Sequence, residues 1–208
     1  MFYERILLRP SLGKGNELRA LVQNRTKSNQ PRLRTVLTES VLGEGQTFVS
    51  GTFHENLKAY ETEREARRAD SGFQSFAAKV SGLLSRPREA QLYEVISSSA
   101  AGGGPARFTH GVRLIAARDK EMELRQALED FAQARQAEGA TVAGIHRRLF
   151  PTEGPTFLIF LAYQDLSEYE STVRERPESI RNLIAKTNPI IASAPRQQLF
   201  QVIVPFPS

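Results

Sequence analysis

Hydrophobic and polar residues alternate from Tyr3 to Arg9, with Ile6 and Leu8 on one face and Tyr3, Arg5 and Leu7 on the other. That is the period of a strand covered on one side. Pro10 to Gly15 breaks the pattern, and Leu18, Leu21 and Val22 then recur at helical spacing across Asn16 to Asn24. Leu33 to Thr38, with β-branched Thr35, Val36 and Thr38, predicts a second strand, Glu44-Gly45 a turn, and Thr47 to Phe53 a third strand. Asn56 is placed to cap a helix ending near Ala69, whose charged run Glu61 to Arg68 faces solvent. Phe73 to Leu84 reads as a second, more apolar helix stopped by Arg86-Pro87, and Gln91 to Ile96 as a fourth strand.

The second half repeats this order. Arg107 to Ala116 is a strand, and Lys120 to Ala137 a helix with Leu124, Leu128 and Phe131 on its apolar side. Thr141 to Phe150 is a strand, and Thr156 to Tyr163 an almost wholly apolar one, as a central, buried strand requires. Asp165 and Glu168 have the spacing of a helix-start capping box, and Pro177 suits the first turn of a helix ending near Asn188-Pro189. Gln198 to Val204 closes the half, and Pro205 and Pro207 end strand pairing. Strand, helix, strand, strand, helix, strand is the ferredoxin-like split arrangement, met here twice.

The two halves also match residue by residue. Phe2, Ile6, Leu8, Lys14 and the run Glu17-Leu18-Arg19 recur 106 positions later as Phe108, Val112, Leu114, Lys120 and Glu123-Leu124-Arg125. Phe48, Leu57 and Tyr60 recur 109 positions later as Phe157, Leu166 and Tyr169, and QLYEVI at Gln91 recurs as QLFQVI at Gln198. An ordered series of this kind implies tandem duplication. The expected organisation is a first repeat over 1–96, a linker over 97–106 containing SSSAAGGGP, and a second repeat over 107–208. A single repeat has helices on one sheet face only, so its other face needs a partner. The predicted fold is therefore α+β: two tandem ferredoxin-like βαββαβ repeats whose antiparallel sheets pack as an intramolecular α/β-barrel.

Composition narrows the function. The 208 residues include no cysteine, which excludes disulfides, thiolate metal sites and a cysteine nucleophile, and which fits a cytoplasmic protein. No apolar run approaches a membrane span, and no signal-peptide layout opens the chain. The net charge of +5 is concentrated in residues 1–34, with eight Lys/Arg against two Asp/Glu; the segment reads first as a solvated basic helix and loop, and otherwise as a basic surface that attracts nucleic acid or an anionic ligand. RNA-binding modules of this topology display aromatics on an open third strand, and neither Thr47 to Phe53 nor Thr156 to Tyr163 carries that pattern, so no nucleic-acid partner is expected.

Tyr3-Glu4-Arg5 followed by Gly13-Lys14 and Glu17, together with Tyr169, Arg174, Arg176 and Pro177, resembles the dimeric α/β-barrel superfamily and its NIPSNAP-like members. The resemblance implies a small aromatic or anionic ligand held between sheet and helices or inside a barrel, and relatives that include cofactor-independent monooxygenases. The second half departs from it, with Thr109-His110-Gly111 in place of Tyr-Glu-Arg, which points to a site in one half only. No cofactor is expected. Haem wants an axial histidine on a pocket helix, and Ile180 to Thr187 has none; the chain also lacks tryptophan. No metal site is expected, because His110 and His146, even if neighbouring strands bring them close, are accompanied by Arg147 and Arg148.

Proton abstraction from an activated aromatic would need a base and oxyanion donors. His110 or His146 could be the base, Tyr3, Arg5 and Arg113 the donors, and the matched Tyr60 and Tyr169 a pair of pocket-lining phenols or of core-packing rings. Two functions follow: a small-molecule-binding barrel of oxygenase-like kind, or a non-catalytic NIPSNAP-like interaction module. Either could form a homodimer.

Overall fold

The computed structural model describes residues 1–29, 34–42, 45–98, 106–140 and 142–205. The elements run β1 (Phe2–Leu8), α1 (Gly15–Asn29), β2 (Arg34–Leu42), β3 (Phe48–His54), α2 (Leu57–Ala69), α3 (Ser71–Leu83) and β4 (Glu89–Ser97). They continue with β5 (Phe108–Ile115), α4 (Glu121–Ala137), β6 (Val142–Arg148), β7 (Thr156–Tyr163), α5 (Leu166–Glu175), α6 (Glu178–Thr187), a 3-10 turn (Asn188–Ile190) and β8 (Arg196–Val204). The strands form a closed antiparallel barrel in the order β1-β3-β2-β8-β5-β7-β6-β4, and the fold is α+β with two tandem ferredoxin-like repeats. The stretch expected to link the repeats falls largely outside the described residues, as do Pro31, Leu33, Glu44, Thr141 and Pro207.

The chain divides into two compact units, Met1–Tyr93 with Val202–Ser208, and Glu94–Gln201. In the first, β1 pairs with β3 so that Ile6 faces Ser50 and Leu8 faces Phe48. Residues opposite one another share a sheet face. On the face carrying Leu8, Leu37 and Phe48, the sheet packs against Leu18 and Val22 of α1 and Val80 and Leu83 of α3. Helix α1 outruns its expected end at Asn24, continuing to Asn29. Thr26 and Ser28 donate their hydroxyls to the carbonyls of Val22 and Asn24, which lets these two poor helix formers sit inside a last turn. Asp70 ends α2 and caps α3 at once, its Oδ1 accepting the Gly72 N–H at 2.8 Å.

The second unit repeats the pairing. Val112 faces Ile159 and Phe108 faces Tyr163, as Ile6 faces Ser50 and Phe2 faces His54. Its core gathers Leu114, Phe157, Ile159 and Leu161 beneath Leu124, Leu128 and Phe131 of α4. Asp165 caps α5 as the spacing foretold, accepting the Glu168 N–H, while the Glu168 carboxylate accepts the Gln164 N–H at 2.7 Å. A β-bulge lies between Val142 and Gly144 of β6. No helix among the described residues is long and apolar enough to cross a membrane.

Candidate functional site

A pocket of about 80 Å³ opens in the first unit between the helix-covered sheet face and the helices above it. Its floor is Ile6 and Leu8 of β1, Thr35 of β2, and Ser50 and Thr52 of β3; its roof is Val22, Arg25, Thr26 and Asn29 of α1 with Phe73, Phe76, Ala77 and Val80 of α3. Arg67 and Arg88 complete the wall. The floor hydroxyls of Thr35 and Thr52 lie 3.1 Å apart, so one donates to the other. The Arg25 guanidinium sits 5.7 and 5.6 Å from the ring centres of Phe73 and Phe76, within cation–π range. One of its terminal nitrogens is 3.3 Å from Asp70, while its Nε is buried with no partner among the described residues.

Arg67 ties this wall to a buried ionic group. Its Nη1 lies 2.8 Å from Glu4 and its Nε 2.9 Å from Glu63. Burial works against the charge on Arg67, and the two carboxylates more than offset it, so its pKa is raised. Burial likewise pushes the Glu4 carboxyl up, but His54 and Arg67 outweigh that and hold it below its ordinary value. His54 lies 3.9 Å from Glu4, at ion-pair rather than hydrogen-bond distance, with Tyr60 edge-on to its ring at 5.3 Å.

Four matched positions of the second unit are apolar, while Asn29 matches the buried Arg135. The repeat offsets place Phe131 where α1 has Arg25, Ala132 where it has Thr26, and Ile159 and Leu161 where β3 has Ser50 and Thr52. Phe131, Ile159 and Leu161 are buried in the core of that unit. At these four positions the first unit is polar where the second is apolar.

The residues singled out from sequence distribute as follows. Tyr3 and Arg5 lie on the face of the first unit away from its helices. The Tyr3 ring covers Gly51, where a methyl group would collide with it, and stands 5.0 Å from Phe53 and 6.3 Å from Tyr93. Burial pushes the Tyr3 phenol up to about 12, against the pull of the Arg5 charge, so it is a donor at neutral pH. Arg5 reaches Gln91 at 3.4 Å, Tyr93 donates to the same oxygen at 2.5 Å, and the Arg5 Nε is buried without a partner among the described residues.

In the second unit, Arg113 and His146 both face Leu158 across neighbouring strands and share one face. Arg113 binds Glu153 at 2.7 Å; His146 packs over Gly144 and meets Phe160 edge-on at 5.5 Å. His110 faces Leu161, three residues from Leu158 along β7, and so lies on the opposite face from His146. The two histidines do not converge. His110 instead meets Tyr169 edge-on at 5.4 Å, and burial lowers its pKa against a hydrogen bond with Gln197. Tyr169 is also edge-on to Tyr163, the counterpart of His54, so both matched tyrosines pack on the last residue of β3 or β7. Tyr60 is not a wall of the pocket.

No family model matches the chain, and no curated protein matches it. Solved structures do. One, from Fusobacterium nucleatum and provisionally named a monooxygenase, superposes with a TM-score of 0.77 at 10% identity over 99% of this chain and 93% of its own. Another provisionally named monooxygenase, from Lactobacillus acidophilus, gives 0.70 at 12% identity over 98% of both chains. An anthrone oxidase-like protein gives 0.67 at 15% identity over 97% of this chain and 91% of its own. At these identities the likeness is one of fold.

Proposed function

We propose that this protein is a tandem duplication in which the first unit binds a small organic molecule in the pocket between its sheet and helices. One observation carries the reading. Burying hydrocarbon stabilises a fold by about 25 cal/mol per Å² and burying polar groups does not, yet Arg25, Thr26, Ser50 and Thr52 stand where the second unit has Phe131, Ala132, Ile159 and Leu161. The apolar residues at the matched positions of the second unit support the view that such a frame accepts them. Polar walls around open space in the first unit then fit a ligand better than they fit folding.

Oxygenase-like chemistry is the enzymatic form of this reading, supported by a fold shared with proteins carrying monooxygenase and oxidase names. It needs a base beside the ligand. In the first unit the Glu4–His54 pair meets the wall residue Arg67 but does not itself line the pocket. His110 and His146 belong to the second unit. A second reading, a non-catalytic NIPSNAP-like interaction module, draws on Leu166 and Val173 of α5 and Ile184 of α6, which stay exposed.

Native mass spectrometry of protein purified from its own host, beside a denaturing control, tests the first reading. A non-covalent mass lost on denaturation is expected. A clean ligand-free protein that also takes up nothing from a library of small aromatic and anionic compounds would overturn it.

A further inference from the structure

We infer that the ligand of this pocket is a small monocarboxylate with a ring-sized apolar body, its carboxylate held by Arg25 and Arg88. The inference rests on the pocket proposed above and adds the chemistry of its occupant. Three guanidinium groups line the pocket and no carboxylate does. Two of the three are already matched: Arg67 by Glu4 and Glu63, Arg25 by Asp70. Arg88 has no ion-pair partner among the described residues, so its guanidinium is the one in the wall that no carboxylate of the chain engages.

Arg25 supplies the second element. Its Nε–H is a buried donor with no acceptor among the described residues, a costly state that an incoming carboxylate oxygen would relieve. The opposite wall sets the body of the ligand. Phe76, Val80, Ile6 and Leu8 give an apolar surface, and the space of about 80 Å³ is far below the several hundred that drug-sized ligands need. A single ring is the upper limit of that description; long acyl chains and polycyclic compounds exceed it.

The test is isothermal titration of the full chain with benzoate, benzamide and inorganic phosphate. Benzoate is expected to bind, with benzamide and phosphate at least about tenfold weaker. Arg25→Gln and Arg88→Gln should each weaken benzoate by about tenfold or more while leaving the circular dichroism spectrum and Tm near wild type. Ser50→Ile, which fills the floor, should abolish binding. If benzamide binds as well as benzoate and only Ser50→Ile matters, the pocket stands and the carboxylate assignment falls. Phosphate binding as tightly as benzoate would also overturn the assignment. If no compound binds wild type, and Ser50→Ile changes nothing else that is bound, the pocket reading fails with it.

Discussion

Glu4 and Arg67 hold the strongest expectation for a single pair. Their charged atoms are 2.8 Å apart, and the side chains are 9% and 18% exposed, so both charges are largely desolvated. Removing one partner of a buried pair strands the other, which typically costs about 3–5 kcal/mol. The two halves of this pair are not stranded equally. Arg67→Met leaves Glu4 with only His54 at 3.9 Å, so about 3–4 kcal/mol is expected. Glu4→Gln leaves Arg67 its bond to Glu63, and about 2–3 kcal/mol is expected.

The double variant strands neither charge of this pair. It should cost less than the sum of the singles, with a coupling of about 1.5–3 kcal/mol in a double-mutant cycle read by urea unfolding at pH 7. Acid gives a second handle. The Glu4 carboxyl is held below its ordinary value, so its contribution is complete above the usual carboxylate range and disappears as the pH falls through the lowered folded value. Wild type and Glu4→Gln should therefore converge in stability at low pH. A coupling under about 0.5 kcal/mol, the size of an exposed surface pair, or a gap that persists in acid, would refute the reasoning.

Other expectations concern single positions. Burial holds the His110 imidazole below its ordinary value, so the unfolded chain takes up its proton first; stability should drop as pH falls from the usual imidazole range through the lowered folded value, and His110→Gln should flatten that slope in pH-dependent urea unfolding. Gly51→Ala places a methyl group on the Tyr3 ring and should destabilise by about 1–3 kcal/mol, recovered in part by Tyr3→Val in the same chain. Ser50→Ile imports the residue of the matched position in the second unit and should raise Tm by a few degrees, at roughly 0.8 kcal/mol per buried methylene, while removing any ligand response. A fall in Tm there would mean the pocket cannot take the extra carbons.

Much of the fold was legible in the chain because its periodicities are local. Alternation along Tyr3 to Arg9 separates the faces correctly, since Leu8 enters the helix-covered core while Tyr3 packs against Phe53 and Tyr93. The matched series also survives in the ladders, where Phe2 with His54 and Phe108 with Tyr163 hold equivalent positions. What alternation could not show is a slip. The bulge between Val142 and Gly144 shifts β6 by one residue, which puts Val142 and Ile145 on the same face and turns His146 away from His110. An unbroken strand would have set both histidines on one face.

The pocket escaped for a different reason. Arg25 lies in a basic helix that reads as a solvated one, and Glu4 in a strand segment flanked by Tyr3 and Arg5, so neither announces a buried role. A signal was present in the difference between the repeats. Matched core positions are apolar in one half and polar in the other: Ile159 against Ser50, Leu161 against Thr52 and Phe131 against Arg25.

Amide chemical-shift mapping while the full chain is titrated with a bound small molecule tests the central claim most directly. Perturbations are expected to concentrate on Arg25, Thr26, Thr35, Ser50, Thr52 and Phe76 around the first-unit pocket, with Phe131, Ile159 and Leu161 unmoved. Shifts centred on those second-unit residues instead, or on the helix surfaces away from the pocket, would contradict it.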